Sequence, residues 1–449
     1  VANKMSKTII VNKFGGGILK KEFIHLVSKR LKEQIKKGVK PIAVLSAMPG
    51  VTDELISFME IIKESNTKEN VESFIIKIKQ KHFDIIESID IEKDQIFNLK
   101  NDIENSLNKL KEDLNKSKVL DNKLEDKIVS YGERLSTVIM SYYFKKTIPE
   151  VETLLAEDIP IITDNNFKNA NINYEVSKKN LLGKVKNTKG LIVISGFTGK
   201  TKNGEITTLG RGGTDTTACL VGSALNASKI ILWKDVGGVL SADPRIIKNT
   251  KTIPFIDYFE AEEAGKIIHD KAIQYIKIDE TPIEICSIID PKQKTQIGKS
   301  SKKTSGAKII SIKKDLNFIL VTDENIKLND LMLLVSQIFN KYKLEITLIS
   351  NSKYSLQIIS DNKNGNLEKA CMEIRREVEK VETTPSTMIF AIGLFNAKDV
   401  SVFNDIVLKQ NADLLISAFY YEDCRRIEAI INTSDTNKVV KAVYKKFIK

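Results

Sequence analysis

The sequence predicts an α/β protein in which helices cover a largely parallel sheet, followed by two small α+β units of the βαββαβ type. Three observations lead there. Short β-branched apolar runs alternate with amphipathic helical stretches up to about residue 290. A polar run, DPKQKTQIGKSSKKTSG from Asp290 to Gly306, then interrupts the pattern. Beyond it, a strand–helix–strand–strand–helix order occurs twice. A chain of 449 residues is long for one core, and two or three domains are expected.

The elements follow in order. TIIVNKF, Thr8 to Phe14, is a β-branched strand ended by three glycines, Gly15 to Gly17, and an amphipathic helix runs on to about Lys37. VKPIAVLSA, Val39 to Ala47, is a second strand, with a helix starting near Asp53. Residues 67–120 are rich in Lys, Glu, Asn and Ile at helical spacing and read as a helical insertion or lid. A longer helix from about Leu124 to Lys145 carries YGERLS. LIVISGF, Leu191 to Phe197, is a strand; a turn then leads into TTLGRGGTDTTA and a helix from Thr214 to Leu225. KIILWKDV, Lys229 to Val236, and TPIEICSI, Thr281 to Ile288, are strands on either side of a helix over Asp257 to Ile268. The expected domains are 5–290 and, after a linker at 291–307, two tail units at 308–383 and 384–449.

Hydrophobic content of 42% with 29% charged residues is ordinary for a globular protein. The net charge of +12 raises the question of a nucleic-acid partner, but the excess is lysine spread along the whole chain, 62 against 8 arginines, and no recognition module stands out. Nucleic acid is therefore not an expected partner. Scarce arginine gives Arg134, Arg211 and Arg245 weight, since a planar fork for carboxylate or phosphate is not replaced by lysine without loss. The four cysteines are far apart and lack a CxxC pair, which reads as reduced thiols in a cytoplasmic protein. Three scattered histidines make no metal cluster. No apolar run reaches membrane-spanning length, so no membrane association is expected. The start reads as Met5 preceded by a foreign remnant, Val1 to Lys4.

No GxxxxGK[ST] motif occurs. In KFGGG, either the glycines only turn the chain from strand to helix, or their amides face phosphate with Lys13 beside them. In LGRGGTDTTA the glycines allow close backbone approach, and Arg211 can clamp a carboxylate bidentately. Asp215 is a poor neighbour for phosphate but a good one for ammonium, so the pair suits a zwitterionic amino acid. The plainer reading is an N-capping Thr214 or Asp215 with a structural arginine. Glu133 in SYGERLS is a second candidate ammonium contact. Ser46 and Thr52 in SAMPGVTDEL are candidate polar contacts, with Thr52 or Asp53 equally suited to N-capping. DVGGVLSADPR, Asp235 to Arg245, follows a strand end, where nucleotide sites of α/β sheets lie.

KFGG, SAMPGVTD, YGERLS, TTLGRGGTDTTA, DVGGVLSADPR and AGKIIH stand in the order seen in aspartate kinases. Over residues 8 to about 290 the chain resembles that family, and its tail resembles the family's paired ACT domains. The resemblance implies an amino-acid-kinase fold and transfer of the ATP γ-phosphoryl group, with Mg2+, to the β-carboxylate of L-aspartate. Lys13, Gly15, Gly16 and Asp215 would form the catalytic centre. Ser46, Thr52, Glu133, Arg211, Gly213 and Thr214 would hold aspartate. Lys13, Gly16, Lys234, Asp235, Leu240, Arg245 and Lys266 would serve the nucleotide.

The resemblance further implies feedback by an end-product amino acid, lysine before threonine, and a homodimer or dimer of dimers. Departures from the family pattern are Gly17 and Ile18 in place of Thr-Ser, Lys234 for threonine, Leu240 for tyrosine, Asp270 for proline, and Lys353 in place of an acid. The competing readings are another amino-acid kinase, acting on glutamate, acetylglutamate or UMP, and a catalytically silent amino-acid sensor.

Overall fold

The computed structural model describes residues 8–65, 67–116, 121–264, 267–300, 306–361, 365–410, 414–416, 424–432 and 436–448. The chain divides into two compact units. One runs up to Val239 and resumes over Thr252–Ser300; the other joins Leu240–Lys251 to the chain from Ser301 onward.

The first unit is built on an eight-stranded sheet. Its order in space is Phe255–Asp257, Lys294–Gly298, Ile283–Ser287, Lys229–Lys234, Ile9–Phe14, Lys40–Leu45, Leu191–Ser195 and Val151–Leu154. Every neighbouring pair is parallel except Ile283–Ser287 with Lys294–Gly298. The central strands are apolar nearly throughout because helices cover both faces. The first strand, Ile9–Phe14, lies between the second, Lys40–Leu45, and the much later Lys229–Lys234. The winding therefore reverses at Ile9–Phe14, and the crevice past the carboxyl ends of these strands is the expected ligand position in such a sheet.

The insertion forms two helices, Lys68–Ser88 and Lys93–Lys116. Their apolar faces join the main core through Phe74, Ile78, Ile103 and Leu110. Two helices escape the sequence reading, Tyr174–Asn187 and Asp270–Asp279, as do the edge strand Val151–Leu154 and the sheet strand Lys294–Gly298, which falls inside the run read as a linker at 291–307 because its exposed side chains are polar. Among the described residues no helix is long and apolar enough to cross a membrane.

The second unit is one six-stranded antiparallel sheet. Its order is Ile346–Asn351, Ser355–Asp361, Gly306–Thr322, Lys380–Phe395, Cys424–Asn432 and Leu414–Ile416. The long strands Gly306–Thr322 and Lys380–Phe395 pair along their lengths, with a register shift between Lys313 and Leu316 where Asp315 takes a φ of 58°. On either side of that irregularity they serve different cores. Ile310 and Ile389 pack with Phe403 and Val439, whereas Ile319 and Val381 pack with Leu331 and Ile374. The sequence boundary at 383/384 falls inside a strand that both cores share.

Candidate functional site

At the carboxyl end of Ile9–Phe14, Lys13 is 8% exposed and its ammonium lies 2.6 Å from Asp215 Oδ1. Burial pushes the Asp215 carboxyl up, but the charges of Lys13 and Lys234, the Lys13 contact and His269 outweigh it and hold the group below its ordinary range. Asp215 is thus ion-paired with Lys13. Of the glycines after Lys13, Gly16 is held to its type by a backbone neighbour, whereas Gly15 lies against the movable end of the Lys13 side chain. A Cβ on Gly15 would come within 3.1 Å of Lys13 Nζ, and one on Gly16 within 3.0 Å of the Ala47 carbonyl oxygen. Gly17 has no such neighbour within 4 Å.

Glu133 sits on the helix Asn122–Lys145, buried to 2% exposure. Gly132 lets that helix approach the loop after Lys40–Leu45, since a Cβ there would lie 3.0 Å from the Ala47 methyl. Ser136 donates to the Ser46 carbonyl at 2.6 Å, and the Ala47 N–H donates to Glu133 Oε1 at 3.2 Å. Glu133 Oε2 is buried without a partner. Desolvation, opposed by hydrogen bonds from backbone N–H groups, pushes this carboxyl up to about 8.

The capping readings do not hold. The helix carrying Thr52 spans Val51–Glu64 and is capped by Gly50 at φ 75°; the helix carrying Thr214 and Asp215 spans Gly213–Ala224 and is capped by Gly212 at φ 73°. Neither has a side-chain cap. Glycine caps take the left-handed backbone at little cost. They leave the first N–H groups, and the side chains of Thr52 and Thr214, uncommitted to capping and available to the crevice, while Asp215 engages Lys13. Gly212 also allows His269 to pack on the loop, as a Cβ there would lie 2.5 Å from His269 Cβ. Arg211 is exposed and makes no ion pair among the described residues.

These groups share a cleft of about 550 Å³ lined by Lys13, Ser46, Thr52, Glu133, Arg211, Gly213, Thr214 and Asp215. Phe197, Glu125, Asp126 and Lys168 also line it, and the sequence reading missed them. Phe197 adopts φ 67° with its N–H donating to Thr217 Oγ1, an uncommon backbone for an aromatic residue. Asp126 accepts from the Lys168 N–H, the Thr208 N–H and the Thr208 hydroxyl, which fixes the approach to Arg211. Glu125 pairs with Lys63 at 2.8 Å and Lys168 at 2.6 Å. The only prior signal for this pair was an acidic dipeptide about one and a half helical turns before YGERLS, which reads as a solvated first turn.

The remaining predicted residues lie elsewhere. Lys234 ends its strand and Asp235 is exposed just after it. Leu240 and Arg245 belong to the second unit, where Asp243 clasps the exposed Arg245 guanidinium. Lys266 falls outside the described residues. Arg134 pairs with Glu157 and donates to Ser106, which makes it a brace between helices and not a ligand fork.

Residues 8–287 match the amino acid kinase family. The aspartokinase of Rickettsia felis is 25% identical over 98% of this chain and 99% of its own. Aspartokinase III of Escherichia coli, solved in complex with aspartate and ADP (R-state), superposes with a TM-score of 0.80 at 21% identity, covering 98% of this chain and 100% of that one. The same enzyme in complex with lysine and aspartate (T-state) gives 0.81 at 21% identity and the same coverage. At that identity the likeness is one of fold.

Proposed function

The chain belongs to the amino acid kinase family, and on that premise we propose that it is an ATP-dependent aspartate kinase forming 4-phospho-L-aspartate. The observation that carries the reading is the convergence of an unpaired guanidinium, Arg211, and an unpaired buried carboxylate oxygen, Glu133 Oε2, in one cleft beside the Lys13–Asp215 pair. A zwitterion with a second carboxylate matches that set. Arg211 clamps one carboxylate, Glu133 takes the ammonium, and the other carboxylate points at Lys13. Full-length similarity to proteins named aspartokinase supports the choice of acceptor.

A carboxylate is already ionised at neutral pH, so the protein has only to align it and neutralise charge. Asp215 orients Lys13 toward the transferring phosphoryl group, and Gly15 and Gly16 let that group approach the backbone. Ser46, Thr52, Gly213 and Thr214 hold the acceptor through hydroxyl and amide donors. Mg2+ carried by the nucleotide phosphates would supply further charge neutralisation there. Asp235, just past the end of the strand Lys229–Lys234, serves the nucleotide.

The reaction places the enzyme at the head of the lysine, threonine and methionine branch in the cytoplasm. The second unit is the sensor of an end-product amino acid, lysine before threonine, and assembles a homodimer or dimer of dimers. The lysine-bound state of the Escherichia coli enzyme supports the choice of lysine.

The test is ADP release from ATP with aspartate, glutamate, acetylglutamate and UMP in turn. Release with aspartate alone is expected. No release with aspartate, or equal release with glutamate, overturns the reading.

A further inference from the structure

Lys234 stands where threonine is common among aspartate kinases, and its place in the sheet gives it a direction. Residues paired across a sheet share a face, as do residues two apart on one strand. Lys13 pairs with Leu232, so Lys13, Leu232 and Lys234 project to the same side. The opposite side carries Asn12, Phe14 and Trp233. There the Trp233 indole donates to Asn12 Oδ1 at 3.0 Å and stacks on Phe14.

The side of Lys234 is the one covered by the helix Gly213–Ala224, because a Cβ on Gly222 would lie 2.4 Å from the Ile230 side chain. From Ile230 to Lys234 the strand advances about 13 Å. From Gly222 back to Thr214 the helix spans about 12 Å. The Lys13–Asp215 contact shows that the carboxyl end of the sheet meets the amino end of this helix. Lys234 therefore comes level with the glycine-capped first turn.

At that level Lys234 is half-buried, and its ammonium makes no hydrogen bond or ion pair among the described residues. Burial and the charge of Lys13 hold its ammonium below the ordinary lysine range, against the attraction of Asp215 and Asp235. Two ammonium groups and a helix N-terminus thus gather around Asp215, which Lys13 already engages, with only the exposed Asp235 beside them. Lys13 lines the acceptor cleft and Lys234 does not.

We infer that Lys234 is a second catalytic cation, one that meets the oxygen bridging the β- and γ-phosphates of ATP while Lys13 serves the acceptor side. The inference rests on the ATP-dependent reading above. As the carboxylate oxygen bonds to the γ-phosphorus, the bond to the bridging oxygen breaks and its electron pair leaves with ADP. Total charge is conserved and no proton moves. Negative charge grows on the bridging oxygen, where a fixed ammonium acts most strongly in the transition state.

The experiment compares the full-length protein with Lys234→Met and Lys234→Arg. Calorimetry measures ATP, ADP and AMP binding without aspartate, and steady-state kinetics give kcat and both KM values. Lys234→Met is expected to weaken ATP and ADP by about tenfold, to leave AMP unchanged, and to lower kcat by about 10–100-fold with KM for aspartate unchanged. Lys234→Arg restores part of kcat. Equal weakening of AMP, or an unchanged kcat in Lys234→Met, overturns the inference. A wild-type protein that binds ATP but phosphorylates no aspartate overturns only the choice of acceptor, and the binding comparison still decides on Lys234. A wild-type protein that binds no ATP overturns both.

Discussion

Glu133→Gln is the substitution on which the acceptor site turns. In the free protein desolvation pushes the Glu133 carboxyl up to about 8, so at neutral pH it is mostly protonated. Binding the substrate ammonium draws it into the ionised form. At pH 7 that ionisation costs about 1.4 kcal/mol, or about tenfold in aspartate affinity. The ionised fraction rises from about 1% near pH 6 to about 90% near pH 9, so KM for aspartate should fall by almost ~100-fold over that range. Glutamine keeps an acceptor for the Ala47 N–H but cannot ionise. Glu133→Gln should therefore have a KM almost independent of pH. It should match the wild type at low pH and exceed it at high pH by about 10–100-fold, the loss of one charged hydrogen bond.

Stability moves the opposite way. The folded state keeps Glu133 neutral up to about 8, while the unfolded chain ionises near 4.5. Between those values the unfolded state binds fewer protons, so stability falls as pH rises. Glu133→Gln removes that penalty and should raise Tm at pH 8 but not below the ordinary carboxylate pKa. The assays are initial rates of ADP release across pH and thermal melts at both ends. A wild-type KM that stays flat with pH and coincides with that of Glu133→Gln would refute the reasoning.

The other predictions concern charge, backbone and regulation. Lys13→Ala should lower kcat by about 10²-fold or more, and Arg211→Ala should chiefly raise KM for aspartate, which steady-state kinetics will separate. Gly212→Ala forces a left-handed φ of 73° on alanine and drives its Cβ to within 2.5 Å of His269 Cβ, so a loss of about 2–4 kcal/mol in denaturant melts is expected. Gly17→Ala, with open space around it, should change neither stability nor activity. Titrating lysine and threonine, singly and together, into the full chain should inhibit ADP release; indifference to both would remove the second unit as their sensor. Truncation near Gly306 is a poor substitute, because Leu240–Lys251 would lose its partners: the Ile310 N–H donates to the Ser241 carbonyl and Ser241 Oγ contacts the Tyr444 hydroxyl.

The central sheet strands were legible because buried parallel strands must be short, largely apolar and rich in β-branched residues, as Ile9–Phe14, Lys40–Leu45 and Leu191–Ser195 are. The long helix around Glu133 was legible from its periodicity. Lys13, Arg211 and Glu133 stood out because glycine beside a charged residue marks close backbone approach. Tyr174–Asn187 escaped because its residues are polar on most sides, and a weakly amphipathic surface helix has little periodicity to read.

Partnership was a different matter. Whether Asp215 served an ammonium or Lys13, and whether Arg134 was a fork or a brace, depended on residues far away in sequence, and chain-local patterns carry no such distances. The same holds for Glu125 and Asp126, ordinary acids of a helix start until Lys63, Lys168 and Thr208 are folded against them. It holds also for the shared strands of the second unit, where one continuous apolar alternation is divided between two cores by a register shift at Lys313 to Leu316. Local propensity and periodicity act over a few residues and so are written in the chain. Ion pairing, desolvation and core membership are set by what arrives from elsewhere, and exist only once the sheet has brought those segments together.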